Sequence, residues 1–367
     1  MKRVLRILGT RGIPARYGGF ETFAERLSLY LVEKEWQVYV YCQAHGAGGP
    51  SEKLWKRISL IHIPVPLQGA LGTVYFDFKS TLHALRRPGL ILTLGYNTAV
   101  FCLAYRLGNK KNLLNMDGIE WRRKKWSLFT RLWFYLNECI AVRIANHLIA
   151  DHPEIMARLT TRVPPNKISM IPYGADLIRK ADKIELDPFG LKPQRFALII
   201  ARPEPENLIL ETVRAYCSKP RGMPLVILGN YFPKENRYHR KVYSVANEEV
   251  LFLGAIYDKT VVNSLRFHCR LYIHGHTAGG TNPSLVEALG AGCPILAHDN
   301  RFNRWVLGGH GRYFFDETDC AKQLDSLLDD REELARMREK SWSRHHSLFT
   351  WEWILASYDR LLREWTH

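Results

Sequence analysis

Short apolar runs of strand length alternate with helix-length segments along this chain, and this alternation limits the fold more than any other feature. The chain begins with an apolar run at 4–8, a glycine-rich turn at 9–19, a helical segment at 20–33 and a second apolar run at 38–41. A strand, a helix and a second strand in this order form a βαβ unit, whose strands run parallel. The sequence therefore predicts an α/β fold with a parallel sheet covered by helices.

The alternation continues in two blocks, which a proline-containing stretch at 163–174 separates. A length of 367 residues suits two domains of ordinary size. We predict an N-terminal domain at 1–172, a C-terminal domain at 173–347 and a closing helix at 348–367. Two doubly wound domains imply a cleft between them. Further strands are predicted at 60–65, 90–94, 113–116 and 147–150, and in the second block at 196–201, 225–228, 250–253, 271–274 and 294–297.

The chain is strongly basic, with a formal net charge of +16 and a pI near 9.6. This charge favours a negatively charged partner and leaves nucleic acid, anionic lipid and phosphorylated small molecules open. Hydrophobic residues at 46% and charged residues at 24% exclude a disordered or collagen-like chain. The seven cysteines include no Cys-x-x-Cys pair, so we expect neither a disulfide framework nor a thiolate metal site.

Neither a secretion signal nor a membrane span is predicted. The apolar start is broken at Arg6 and turns at Gly9, which leaves too short an apolar core for a signal peptide. The longest uncharged run, 88–105, has glycine and polar residues at 95–97 and is predicted to be strand, turn and helix start. We expect a cytoplasmic protein and, because no His-x-x-x-His spacing occurs, no protein-bound metal.

Gly18 and Gly19 form the first candidate anion site. They precede the helix at 20–33, where free backbone amides and the positive end of the helix dipole attract negative charge. A tight turn between strand and helix is the alternative, because the Gly-x-Gly-x-x-Gly fingerprint is missing.

The loop after the predicted strand at 271–274 is a stronger candidate. It is rich in glycine and small polar residues, and Pro283 suits the first turn of the helix that follows. This arrangement permits a phosphate at the helix start and a ribose hydroxyl on Glu287, whereas a solvated helix carboxylate is the alternative. The candidate ligand-binding residues of the loop are Gly279, Gly280, Thr281, Asn282 and Ser284.

Two charged residues stand directly after predicted strands, at the sheet edge where open α/β sheets bind ligands. Arg202 follows the strand at 196–201, and its guanidinium suits a diphosphate leaving group. Asp117 follows the strand at 113–116 and could hold an acceptor hydroxyl or accept its proton. The alternatives are an ordinary surface arginine and an Asp-Gly turn.

A basic cluster with aromatic neighbours lies at 122–135. Its cations next to aromatic side chains in a helical stretch are typical of an interfacial membrane helix rather than of a nucleic-acid reader. A solvated basic face over a buried aromatic stripe is the alternative. The predicted contacts with an anionic membrane are Arg122, Arg123, Lys124, Lys125 and Trp126.

Taken together, seven segments run in order through nearly the whole chain and carry a family resemblance. They resemble the retaining family 4 glycosyltransferases of the GT-B fold and, within them, the bacterial rhamnosyltransferase-like subgroup. The segments are 9–14, 17–22, 116–121, 171–176, 201–207, 274–287 and 297–300.

This resemblance implies two Rossmann-like domains that face a cleft, with the closing helix packed back on the first domain. It implies that the second domain mainly binds a dTDP- or UDP-linked sugar as substrate, and the first domain the acceptor, without a separate cofactor. Glu287 would hold the ribose and Arg202 the diphosphate. The loop at 279–284 would contact phosphate and sugar, and Gly18 and Gly19 the diphosphate from across the cleft.

Three positions depart from the broad family. Gly279 stands where an acidic residue is usual, and Asn207 replaces a common lysine. The sugar would then be recognised otherwise, with His276, Thr281 and Asn282 as candidates, and Arg202 would have less help in neutralising the diphosphate. Trp305 stands where many relatives have an acid.

The resemblance implies transfer of a sugar, with rhamnose from dTDP-rhamnose as first choice, with retention and without a metal. The acceptor would be a lipid-linked saccharide of bacterial surface polysaccharide synthesis, at the inner face of the cell membrane. The alternatives are a UDP-hexose-dependent glycosyltransferase, a nucleotide-sugar epimerase and a non-catalytic membrane-binding scaffold. The presence of both Arg202 and Glu287 favours catalysis over a scaffold.

Overall fold

The computed structural model describes residues 3–16, 18–123 and 125–366. The chain divides into two compact units, one of Met1–Tyr173 with Trp351–His367 and the other of Gly174–Thr350. Each unit is built on a largely or wholly parallel sheet with helices around it. The predicted α/β class with two Rossmann-like domains is confirmed.

The first unit contains an eight-stranded sheet. Its strands are β1 (Val4–Leu8), β2 (Gln37–His45), β3 (Ser51–Trp55), β4 (Ile58–Val65), β5 (Leu90–Leu94), β6 (Asn112–Asn115), β7 (His147–Ala150) and β8 (Ile168–Met170). Their order is β3-β4-β2-β1-β5-β6-β7-β8. All neighbours run parallel except β3 and β4, which form an antiparallel hairpin. The helices are α1 (Gly19–Glu33), α2 (Gly69–Leu85), α3 (Leu103–Leu107), α4 (Leu128–Ile144) and α5 (Pro153–Thr160).

The second unit contains a six-stranded, wholly parallel sheet. Its strands are β9 (Ala197–Ile200), β10 (Leu225–Leu228), β11 (Val250–Gly254), β12 (Leu271–His274), β13 (Ile295–His298) and β14 (Arg312–Phe314), in the order β11-β10-β9-β12-β13-β14. Its helices are α6 (Ile209–Cys217), α7 (Arg237–Val245), α8 (Lys259–His268), α9 (Pro283–Gly290), α10 (Arg301–Leu307), α11 (Glu317–Leu327) and α12 (Arg331–Leu348).

The sheets form because their strands are apolar on both faces. The four residues of β10 are all buried, as are those of β7 and β12. A strand that helices cover on both sides has a continuous apolar sequence. These strands could therefore be predicted from the sequence. The sequence did not indicate the edge strand β3. The first four residues of β3 are exposed, and all but one of them are polar, so their pattern does not differ from that of a loop.

The last helix, α13 (Trp351–Glu364), packs in the core of the first unit. The Trp36 indole N–H donates to Asp359 Oδ1 at 2.9 Å. The Asn115 amide, at the end of β6, donates to the hydroxyl of Tyr358 at 2.9 Å. Because Tyr358 is only 1% exposed, this hydrogen bond is shielded from water and fixes Asn115 against α13.

No helix in the described part of the chain is long and apolar enough to cross a membrane. For the run at 88–105 the sequence predicts a strand, a turn and a helix start. That run contains β5, a short 3₁₀ turn at Ala99–Cys102 and the start of α3.

Replacing Tyr358 with phenylalanine should destabilise the first unit by about 1–3 kcal/mol, because the buried Asn115 amide then lacks an acceptor. Urea unfolding followed by tryptophan fluorescence measures the change. Tyr30→Phe is the matched control in the same unit, since its hydroxyl bonds to no described residue. Equal midpoints for Tyr358→Phe and Tyr30→Phe would contradict this account.

Candidate functional site

The central pair of strands in the second unit is β9 and β12, where the strand order reverses. In open α/β sheets, ligands bind outside the carboxyl ends of the strands at this switch point. Arg202 lies in the turn after β9, and the glycine-rich loop at 275–282 follows β12. The fold therefore brings the two strongest sequence candidates to one edge of one unit.

The glycine-rich loop lies directly against the turn after β9. The backbone N–H and the hydroxyl of Thr277 both donate to the carbonyl oxygen of Glu206, at 2.9 and 3.0 Å. Gly275 permits this approach, because a Cβ there would lie 2.2 Å from the carbonyl oxygen of Asn207. No larger residue fits at Gly275 without moving backbone.

Asn207 links the two segments through its side chain, which is 9% exposed. Its Nδ2 donates to the carbonyl oxygen of Arg202 at 2.7 Å, which leaves Oδ1 to accept from Nδ1 of His276 at 2.6 Å. His276 must therefore carry a hydrogen on Nδ1. Where the broad family has a lysine, this chain has an amide that supplies no charge but fixes the backbone of Arg202 and the ring of His276.

The carbonyl oxygen of His276 is held in turn by the start of α10. The side-chain amides of Asn300 and Asn303 each donate to it at 3.0 Å, and Asn303 also donates to the carbonyl oxygen of His298 at 2.9 Å. Asn300 and Asn303 thus satisfy a backbone carbonyl of the loop without adding charge. Asn207 and Asn303 were not among the site residues predicted from the sequence. A single asparagine in a sequence does not indicate which groups its side chain will bond.

Gly279 packs against the tip of an aromatic ring. A Cβ at this position would lie 2.4 Å from Cζ of Phe302, which is 8% exposed. Any side chain at Gly279, including the acid of the broad family, would have to displace that ring. Gly280 next to it has φ of +112°, which favours glycine.

The start of α9 is capped by its own side chains. Asn282 accepts from the backbone N–H of Ser284 at 3.0 Å. The Ser284 hydroxyl donates to the carbonyl oxygen of Ile200 at 3.0 Å and lies 2.7 Å from the Tyr272 hydroxyl. Ser284 therefore anchors α9 to β9 with its side chain, and Thr281 before it is buried.

Glu287 forms an ion pair with Arg266 on α8. The Arg266 side chain is 6% exposed, whereas that of Glu287 is 34% exposed. Burial alone would lower the pKa of the Arg266 guanidinium, but the adjacent Glu287 carboxylate, together with Tyr272 and Cys293, outweighs burial and raises that pKa. A buried cation thus holds one oxygen, Oε2, of a carboxylate that still reaches solvent, which leaves Oε1 for a ligand.

Arg202 itself is exposed, and its guanidinium forms no ion pair with any residue of the described ranges. A cation at the carboxyl end of a central strand, with its backbone fixed by Asn207, is suited to an anionic ligand. Arg266 on α8 is the buried cation that pairs with Glu287. Sequence reasoning missed Arg266, because it lies inside a helix whose pattern does not distinguish a buried arginine from a surface one.

In the first unit, Gly18 is the residue before α1 and has φ of +96°. Among the described residues, no side chain caps the first N–H groups of α1. Glu21 and Glu25 on α1 instead accept from the backbone N–H groups of Arg11 and Ala15, at 3.0 and 2.6 Å. These two carboxylates hold the preceding loop on the helix, while the uncapped amides after Gly18 are those an anion would contact.

Asp117 lies in a left-handed turn with φ of +50° directly after β6. Its backbone N–H donates to Oδ1 of Asn115 at 2.9 Å, the same side chain that Tyr358 holds. Burial and the nearby Asp117 carboxylate raise the pKa of Glu120. The side chain of Asp117 is half-buried, at a sheet edge as predicted.

The predicted membrane-binding cluster is partly engaged within the first unit. Arg122 is exposed, but Arg123 forms an ion pair with Glu120 at 3.0 Å, and the Trp126 indole N–H donates to the same carboxylate at 3.4 Å. Lys124 lies outside the described residues. Lys125 stacks on Trp126, 5.0 Å from the ring centroid.

Trp305 on α10 packs on the end of α12. Its ring lies 5.7 Å from that of Phe349 and 5.7 Å from the guanidinium of Arg344. This position thus contributes to packing in the second unit. Within the described ranges, no group of three or more His, Cys, Asp or Glu side chains could hold a metal ion.

Comparison with known proteins adds two family matches, one to each half of the chain. Residues 1–176 match a domain of unknown function, DUF1972, and residues 189–344 match Glycosyl transferases group 1. The chain is also 29% identical over 123 residues to Protein CapJ of Staphylococcus aureus. That match covers 34% of this chain and 30% of the relative, so the chain spans less than a third of its length.

Solved structures match over nearly the whole chain. Sucrose-phosphate synthase from Thermosynechococcus elongatus has a TM-score of 0.84 at 18% identity, with 99% of each chain covered. Anabaena HepE in complex with UDP-glucose has a TM-score of 0.77 at 15% identity, covering 99% of this chain and 100% of that one. The chain has the GT-B fold. The predicted GT-B glycosyltransferase architecture is confirmed, whereas family 4 and the rhamnosyltransferase subgroup stay predictions.

Gly279→Ala should lower the free energy of unfolding by about 1–3 kcal/mol, because its Cβ overlaps the Phe302 ring. The cost should shrink in a Phe302→Ala background, where the ring is gone, and a double-mutant cycle by urea unfolding measures this coupling. Gly49→Ala is the control, since no atom lies within 4 Å of its Cβ position. If the changes in the free energy of unfolding for the substitutions at 279 and 302 are additive, the contact is refuted.

Proposed function

We propose that this protein is a glycosyltransferase that moves a sugar from a nucleoside diphosphate sugar to a saccharide acceptor in polysaccharide assembly. One observation carries the proposal. A free cation, Arg202, and an anchored carboxylate, Glu287, lie in the turn after β9 and on α9, at the switch-point edge of the unit that matches Glycosyl transferases group 1. These are the groups that a diphosphate and a ribose require.

The departing diphosphate carries the charge that develops during transfer. Arg202 would supply a positive charge to it at the carboxyl end of β9. Asp117 would hold the acceptor hydroxyl or accept its proton. We propose that these groups support transfer with retention and without a bound divalent ion or other cofactor, so a chelator should not abolish activity.

The donor we propose is a deoxysugar nucleotide, with dTDP-rhamnose first. The Phe302 ring occupies the space in which the broad family has a sugar-binding acid at Gly279. An apolar ring in place of a carboxylate suits a sugar with fewer hydroxyl groups. His276, Thr281 and Asn282 would supply its polar contacts. Anabaena HepE was solved with UDP-glucose, which supports UDP-glucose as the competing donor.

For the acceptor we propose a lipid-linked saccharide at the inner face of a bacterial membrane. The net charge of +16 supports a protein that works next to anionic lipid. Such an acceptor requires the enzyme to be peripheral to the membrane.

Arg202→Ala should reduce turnover by roughly 10²- to 10³-fold, because one donor to the developing charge is lost. The assay is transfer from labelled dTDP-rhamnose, UDP-glucose, UDP-galactose, UDP-N-acetylglucosamine or GDP-mannose to a bacterial lipid extract, with and without chelator. Arg331→Ala is the matched control, since Arg331 is exposed at the start of α12 in the same unit. Full activity of a folded Arg202→Ala protein would remove Arg202 from the site.

Arg266 should act as a positioning residue through Glu287. The wild-type protein should bind UDP about 10- to 100-fold more tightly than 2′,3′-dideoxy-UDP, since a ribose hydroxyl bonds to a charged group. Glu287→Gln and Arg266→Met should both reduce this ratio, measured by calorimetry, and Arg331→Met should not. An unchanged ratio in Arg266→Met would show that Arg266 only stabilises the fold.

A further inference from the structure

The outer faces of three helices in the first unit are apolar. On α2, Leu71, Tyr75, Phe78 and Leu82 recur at the spacing of one helix face, and Leu71 is 71% exposed. A helix that packs on a sheet ordinarily shows a polar face to water. This stripe therefore lies on the side where polar residues are expected.

The neighbouring helices α3 and α4 have the same property. Leu107 on α3 is 87% exposed, and Leu128 and Phe129 at the start of α4 are each 80% exposed. Leu132 and Leu136 continue the stripe along α4, at 54% and 49% exposed. In the described residues, more than half of the exposed large apolar side chains fall between Leu67 and Leu136.

The three stripes are neighbours. The Phe78 and Phe101 rings lie 5.3 Å apart between α2 and the 3₁₀ turn before α3. On the other side of that turn, the backbone N–H of Val100 donates to Asn137 on α4 at 2.9 Å. A groove of about 230 Å³ between α2 and α3 is lined by Phe78, Thr81, Leu82, Val100, Phe101, Ala104 and Leu107. We call the exposed apolar residues of α2, α3 and α4 the α2–α4 surface.

The exposed charges on these helices are of one sign, because each of the two acids turns inward. Asp77 accepts from the Thr98 hydroxyl at 2.7 Å, and Glu138 is 3% exposed and pairs with Arg158 at 2.8 Å. Lys79, Arg106 and Arg143 are exposed at the edges of the stripes. The α2–α4 surface thus presents apolar side chains with cations around them and no exposed carboxylate.

We infer that the α2–α4 surface docks on a bilayer that contains anionic phospholipid. Leucine and phenylalanine side chains enter the boundary between headgroups and acyl chains, while lysine and arginine at the edge contact lipid phosphate. Arg122 is exposed in the segment that leads into α4, so part of the predicted basic cluster adds to this edge. A second copy of this chain fits less well, because a symmetric contact would bring like charges together.

The inference deepens the proposed function, because it names the surface that brings the enzyme to a lipid-linked acceptor. Its test needs neither donor nor acceptor. Vesicle binding and sugar transfer can therefore fail separately: loss of vesicle binding leaves transfer to a soluble saccharide untouched, and an inactive protein can still bind vesicles.

The experiment is cosedimentation of the full chain with vesicles of phosphatidylcholine alone or with 30% phosphatidylglycerol. We expect binding to the anionic vesicles that weakens as salt rises. Leu107→Ser with Phe129→Ser should weaken it by about tenfold or more, because two apolar side chains no longer enter the bilayer. Both residues are exposed, so the variant should keep its thermal midpoint.

Leu54→Ser is the matched control, since Leu54 is 71% exposed on β3 and is not on a helix of the α2–α4 surface. It should bind vesicles like the wild type. Equal binding by the double variant and the wild type would overturn the inference. So would a wild-type dimer in light scattering that the double variant converts to monomer, because the surface would then be an interface between copies.

Discussion

Both units depend on burial of a parallel sheet on its two faces. Such a sheet satisfies its backbone hydrogen bonds internally and leaves no room for polar side chains along most of its strands. The polar groups that are candidates for ligand binding therefore lie mainly in the turns at the strand ends. Arg202, Asp117 and the loop that follows β12 all occupy such turns. The constraint that builds the core thus also determines where a ligand can be recognised.

The candidate site is held together by neutral hydrogen bonds rather than by charges. Asn207 fixes the backbone of Arg202 and the ring of His276, and Asn300 and Asn303 hold the carbonyl oxygen of His276. An amide both donates and accepts, so one side chain can join two segments without adding a charge that competes for an anionic ligand. The ion pair of Arg266 with Glu287 leaves the carboxylate partly exposed.

Two departures from the broad family have local physical reasons. Gly279 cannot carry an acid while the Phe302 ring lies where its Cβ would be. Asn207 replaces a lysine and exchanges a mobile charge for two fixed hydrogen bonds. Neither Gly279 nor Asn207 adds a charge to this edge of the second unit.

The sequence by itself determined the α/β class, the two units and the positions of Arg202, Gly279 to Ser284 and Glu287, because buried strands and glycine turns leave local patterns. It did not reveal β3, Arg266, Asn303 or the α2–α4 surface. A polar edge strand resembles a loop until its partner β4 is in place, and a buried arginine resembles a surface one until Glu287, 21 residues away, lies next to it. Only the tertiary structure decided which helix faces stay exposed, since burial depends on packing between distant segments.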